Sequence, residues 1–135
     1  MSKLYRYQKI TDEFTTYTLN LPVDQDNQPI GTELCEIAGF TYVSIPDGFD
    51  LPDQPAQITA EPVTADASLI AEIKATSPHV QIINQRVAER IAERYSIQDE
   101  IKLLRTAPSA EFEAYNAWAE DCRAVGRAEK AALGL

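Results

Sequence analysis

The sequence predicts an α+β protein with strands in front and helices behind. Two observations carry this reading. Aromatic and β-branched residues alternate through the first 45 or so positions, whereas from residue 66 onward apolar residues recur at spacings of three and four. Six of the eight prolines (Pro22, Pro29, Pro46, Pro52, Pro55, Pro62) lie between positions 22 and 62, and only Pro78 and Pro108 follow. The chain therefore divides into a small antiparallel β-rich N-terminal head, residues 1–46, a proline-rich connector, residues 47–65, and a helical region, residues 66–135.

In the head, Tyr5, Tyr7, Phe14, Tyr17, Leu19 and Leu21 include two alternating sets, and Thr15-Thr16-Tyr17-Thr18 suits a pleated surface. Strands near 3–9 and 14–21 follow from this. Asp24-Gln25-Asp26-Asn27-Gln28-Pro29-Ile30-Gly31 consists largely of turn-forming residues. Gly39-Phe40-Thr41-Tyr42-Val43-Ser44-Ile45 reads as the next strand, ended by Pro46-Asp47-Gly48. A three- or four-stranded antiparallel meander results. A sheet of about 45 residues buries too little surface to be stable alone, so it needs support. From Pro46 to Asp66, large apolar residues are sparse and prolines recur, which favours an extended path over a packed element.

Four helices are expected, at about 66–75, 78–94, 97–105 and 109–132. Leu69 and Ile73 lie four apart in the first. Ser77-Pro78 supplies an N-cap and a first helical residue, and Val80, Ile83, Val87 and Ile91 follow at spacings of three, four and four. Ser96 with Asp99 three positions on fits a capping box ahead of Ile97, Ile101 and Leu104. Ser109 caps the last helix, where Phe112, Tyr115, Trp118, Cys122 and Val125 recur at helical spacing, and Gly134 stops it.

Composition narrows the function classes. At 135 residues and 15.0 kDa the chain is one modest domain or two very small ones, not a large multi-domain enzyme. Its 21 acidic and 12 basic residues leave a net charge of -9, and the first 60 residues contribute -6 of it. Nucleic acid and anionic lipid are poor partners for such a surface. No apolar run reaches the roughly 20 residues of a membrane helix, and no signal segment opens the chain, so it reads as soluble and cytosolic.

Catalytic and cofactor signals are absent. Cys35 and Cys122 are far apart and have no nearby histidine, so they read as reduced thiols without a metal. His79, at the second position of a helix, reads as a surface residue. Adjacent acids such as Asp99-Glu100 and Glu120-Asp121 point about 100° apart on a helix and cannot share a site. Five glycines and no phosphate-binding motif leave no cradle for a nucleotide. The sequence thus predicts no catalytic residue, no cofactor and no metal.

Binding signals remain. The aliphatic stripe Val80, Ile83, Val87, Ile91 uses only β-branched residues, which in coiled coils favours more than two strands and hence self-association, for example as a trimer. The alternative is that this stripe packs on the aromatic stripe Phe112, Tyr115, Trp118 within one chain, as a helical hairpin. Arg86, Arg90 and Arg94 align along the same helix. They form either a solvated face paired to Glu89 and Glu93 or a docking stripe for an acidic partner. These ten residues are the candidate partner-binding set.

Residues 94–105, Arg94-Tyr95-Ser96-Ile97-Gln98-Asp99-Glu100-Ile101-Lys102-Leu103-Leu104-Arg105, followed by Glu111-Phe112-Glu113-Ala114-Tyr115-Asn116-Ala117-Trp118, resemble the C-terminal helices of small phage proteins encoded beside tail-fibre genes. That family comprises tail-fibre assembly chaperones and fibre-associated proteins. The resemblance covers about the last 45 residues; the front half agrees in style, with Ile45-Pro46-Asp47-Gly48 before a proline-rich connector. It implies a non-enzymatic protein that binds a fibre polypeptide and aids its trimeric assembly, as a homotrimer or a hetero-oligomer with the fibre. Such a protein works in the host cytoplasm during assembly or stays on the virion tail. The second expectation is an acidic inhibitor that mimics nucleic acid, of the anti-restriction or anti-CRISPR type, using the carboxylates Asp12, Glu13, Asp24, Asp26, Glu33, Glu36, Asp47, Asp50 and Asp53.

Overall fold

The computed structural model describes residues 2–135 and is α+β, with strands in the N-terminal part and four helices after them. The strands are β1 (Ser2–Tyr7), β2 (Ile10–Thr11), β3 (Thr16–Tyr17), β4 (Thr32–Ile37), β5 (Phe40–Pro46) and β6 (Glu61–Val63). The helices are α1 (Ala67–Thr76), α2 (Pro78–Arg94), α3 (Ile97–Arg105) and α4 (Ala110–Ala132). Two compact units result. The first runs to Val80 and includes Ala131–Leu135; the second is Gln81–Lys130.

In the first unit an antiparallel four-stranded sheet has the order β4-β5-β1-β6. This is not the expected meander, because the N-terminal strand inserts beside β5. The expected strand over 14–21 contracts to β3, which pairs only with β2. Asp12 sets that turn: its Oδ1 accepts the backbone N–H groups of Phe14 at 2.9 Å and Thr15 at 2.7 Å.

The stretch read as a connector is packed. β6 lies within it and pairs with β1, with Arg6 Nε 2.8 Å from Glu61 Oε2. Pro62 is tolerated because an edge strand has no neighbour to receive an N–H. Upstream, the Gln54 side-chain amide acts like a strand backbone toward Asn20. Its Oε1 accepts the Asn20 N–H at 2.6 Å and its Nε2 donates to the Asn20 carbonyl at 2.8 Å. The Asn20 backbone is thereby satisfied without a paired strand.

Both faces of the sheet are covered. Leu4, Leu34, Cys35 and Tyr42 meet Ile73 of α1 on one face, with Leu69, Leu133 and Leu135 packed against them. Tyr7, Val43 and Ile45 meet Leu19 and Ile58 on the other. The last residues, read only as a helix stop, thus belong to the core of the head, and the Ser44 hydroxyl donates to the Leu133 carbonyl at 2.9 Å.

The sequence reading passed over β4. A bulge explains this: Glu33 is opposite Val43 and Cys35 opposite Tyr42, so Leu34 is the extra residue. Leu34 and Cys35, adjacent in sequence, therefore enter the same core, and the period of two that marks a strand is broken.

The helices follow their punctuation. Asp66 Oδ1 accepts the Leu69 N–H at 2.8 Å, the Ser77 Oγ accepts that of Val80 at 3.4 Å, and the Ser109 Oγ accepts that of Phe112 at 3.1 Å.

Ala38 and Gly39 connect Ile37 to Phe40 with φ of 52° and 83°, the positive values at both positions that a two-residue type I′ hairpin requires. Glycine adopts this readily, but alanine does not. Ala38→Asn is therefore expected to stabilise the head by about 0.5–1 kcal/mol in urea denaturation, since asparagine tolerates the left-handed region.

Candidate functional site

In the second unit the aliphatic stripe of α2 faces α4. A Cβ built on Gly126 would lie 2.6 Å from Val87 Cγ2 and 3.8 Å from Ile83 Cγ2, so the two helices touch there through backbone and methyl groups. Ala119 and Cys122 are buried on the same face of α4 as Gly126. Trp118 donates its indole N–H to the Arg90 carbonyl at 3.3 Å. The helices pair as in the hairpin alternative, but through the Ala119, Cys122 and Gly126 face of α4 and not through Phe112 and Tyr115. Val80 and Ile83 are buried, and Val87 and Ile91 are half-buried, so the stripe expected to bind a partner lies largely inside the chain.

The aromatic stripe closes the far end of the same unit. Tyr115 meets Tyr95 edge-on at 5.0 Å between ring centroids and lies 6.3 Å from Phe112, and all three rings are half-buried. Burial raises the Tyr115 phenol above its ordinary pKa, and a hydrogen bond to Glu100 adds to the rise. The arginine stripe splits. All three residues are exposed, and Arg94 alone stacks on rings, over Trp118 at 5.1 Å and Tyr95 at 5.9 Å. The expected pairing of Arg86 with Glu89 does not form; Glu89 accepts from Gln85 at 2.9 Å instead.

The surface that sequence reasoning passed over is α3. Ile97, Ile101 and Leu104 are 72%, 47% and 63% exposed, and no residue of the helix is buried. They occupy one stripe, at spacings of four and three. The half-buried positions are Glu100 and Leu103, so α3 turns a mixed edge inward and its aliphatic face outward. That orientation inverts the arrangement a surface helix normally adopts. The signal in the sequence was arithmetic: α2 and α4 are the two long helices and cover each other, which leaves the α3 stripe without a mate.

α3 is closed at its N-terminus by a capping box. The Asp99 N–H donates to Ser96 Oγ at 3.1 Å, and Asp99 Oδ2 accepts the Ser96 N–H at 3.0 Å. Beside it lies a cavity of about 440 Å³ lined by Tyr95, Leu103 and Ala114 among the charged Arg94, Lys102 and Glu111. This depression suits one large apolar side chain with a polar tip.

The other candidates take ordinary places. Cys35 and Cys122 are buried free thiols, and burial pushes the Cys35 thiol up, away from the reactive thiolate. His79 is exposed. Among the described residues no group of three or more His, Cys, Asp or Glu could hold a metal ion, and no helix is long and apolar enough to cross a membrane. No protein-family model, curated protein or solved structure matches the chain.

Two outcomes test this geometry. Gly126→Ala gains roughly 1 kcal/mol of helix propensity but drives a methyl into the stiff Val87 side chain. Denaturation is expected to show a net loss of about 1–2 kcal/mol, partly recovered by adding Val87→Ala. For the cap, the Ser96 backbone N–H and then its hydroxyl hold Asp99 below its ordinary pKa of 3.8. Its contribution to folding is therefore present above 3.8 and lost as pH falls through the lower folded value. An NMR titration of the Asp99 carboxyl should give a midpoint below 3.8, and Ser96→Ala should move it up toward 3.8.

Proposed function

We propose that the protein is a non-enzymatic phage tail-fibre chaperone or fibre-associated subunit, which binds a fibre polypeptide and aids its trimeric assembly. The observation that carries the binding role is the outward aliphatic face of α3, Ile97, Ile101 and Leu104, set on a capped helix beside the cavity at Tyr95 and Leu103. The fibre as partner rests on the resemblance of residues 94–105 and 111–118 to fibre-associated proteins, and those residues coincide with this surface. The proposed place of action is the host cytoplasm during assembly, or the virion tail if the protein remains bound.

The nucleic-acid mimic has weaker support. Three of its nine acidic residues are used locally in the head: Glu33 pairs with Lys9 at 2.8 Å, and Asp12 and Asp24 hold turns through backbone N–H groups. All nine are exposed, but a mimic also needs its carboxylates free of such local bonds and spaced in rows along one face.

Co-expression with the neighbouring fibre polypeptide, followed by size exclusion with light scattering, tests the reading. The two chains are expected to co-elute, and Leu104→Asp is expected to weaken capture roughly tenfold or more with unchanged far-UV circular dichroism. A chain that ignores the fibre, or capture that Leu104→Asp leaves intact, would overturn it. Val87→Asp does not discriminate, because Val87 packs against Gly126 within the chain.

A further inference from the structure

The α3 face has a polarity that says what covers it. Ile97 and Leu104 fall at the d positions of a heptad and Ile101 at the a position between them. In that frame Glu100 is the g residue and Arg105 the following e residue, on opposite flanks of the stripe. When two such helices lie parallel and in register, each g residue stands beside the e residue of the next heptad on the other helix. Glu100, half-buried where the inward edge meets the stripe, would then reach Arg105 across the seam, on both sides of it. Antiparallel pairing sets g against g and would bring Glu100 toward Glu100. The helix is therefore complementary to a parallel copy of itself.

Three further observations fit this occupant. Arg105 makes no ion pair among the described residues, so its charge is unspent within the chain. The capping box and the Thr106 C-cap close both ends of α3 as a helix, so association does not have to form it first. Ile97, Ile101 and Leu104 are also the large aliphatic side chains of α3 with the greatest exposure. We propose that this face is covered, in the free protein, by the same face of a second copy, parallel and in register, with Glu100 of each copy paired to Arg105 of the other. The inference does not depend on which polypeptide the protein serves; a partner docking on α3 would first displace the second copy.

Sedimentation equilibrium on the chain alone tests it. The weight-average mass is expected to climb above 15.0 kDa with concentration. Glu100→Arg and Arg105→Glu should each hold the mass at the monomer value, and the double variant should restore the climb. Because Glu100 is half-buried and its charge also acts on Tyr115, a second measurement avoids that residue. Ile97→Cys and Leu104→Cys, each alone under mild oxidation, should form disulfide-linked dimers, with the buried native thiols Cys35 and Cys122 out of reach. A mass fixed at 15.0 kDa up to about 1 mM would overturn self-association. Cross-linking of Ile97→Cys only when mixed with Leu104→Cys would overturn the parallel arrangement.

Discussion

Burial of β5 on both faces is the constraint around which the head is organised. Residues Thr41 to Ile45 are all buried, so side chains of either parity need cover. A β-rich segment ending at residue 46 has no second layer to offer. The chain supplies one layer from α1 and the returning Leu133 and Leu135, and the other from Leu19 and the stretch around Leu51 and Ile58. Apolar area removed from water stabilises at roughly 25 cal/mol per Å², so these added layers are what make a small sheet viable. What looks like a linker and a tail in the sequence is structural cover.

This explains what was legible and what was not. Local codes were read well, because caps and helical periodicity depend on neighbouring residues: α2 and α3 begin and end where Ser77-Pro78 and Ser96 with Asp99 place them. Features set by distant partners were missed. The β4 bulge hides its alternation, Gln54 replaces a strand that 18–21 lacks, and β6 contains a proline that argues against a strand until its edge position is known. The candidate surface failed for the same reason. Spacing of three and four marks a stripe as buried, but whether the burial is within the chain depends on what faces it. Gly126 opposite Val87 decides that for α2, and the lack of any such counterpart leaves α3 outward.

Charge plays a local part in the head and a general one over the chain. The net charge of -9 keeps the surface repulsive toward other acidic macromolecules. Within that field Asp12 and Asp24 close turns, and Glu33 and Glu61 meet Lys9 and Arg6 in exposed pairs that water screens and that add little to stability. The acidic head is thus shaped by its turns more than by its ion pairs.

How such a chain recognises another polypeptide follows from its edges. A sheet binds an extended segment by strand addition only where an edge is long, flat and uncharged. β4 is bulged at Leu34 and carries Glu33 and Glu36, while β6 has three residues with Pro62 in the middle. Both edges resist another strand. α3 has its hydrogen bonds satisfied internally and its aliphatic face turned out, so it can gain apolar burial without leaving a backbone group unpaired. Recognition through a helix face is therefore the route this fold leaves open.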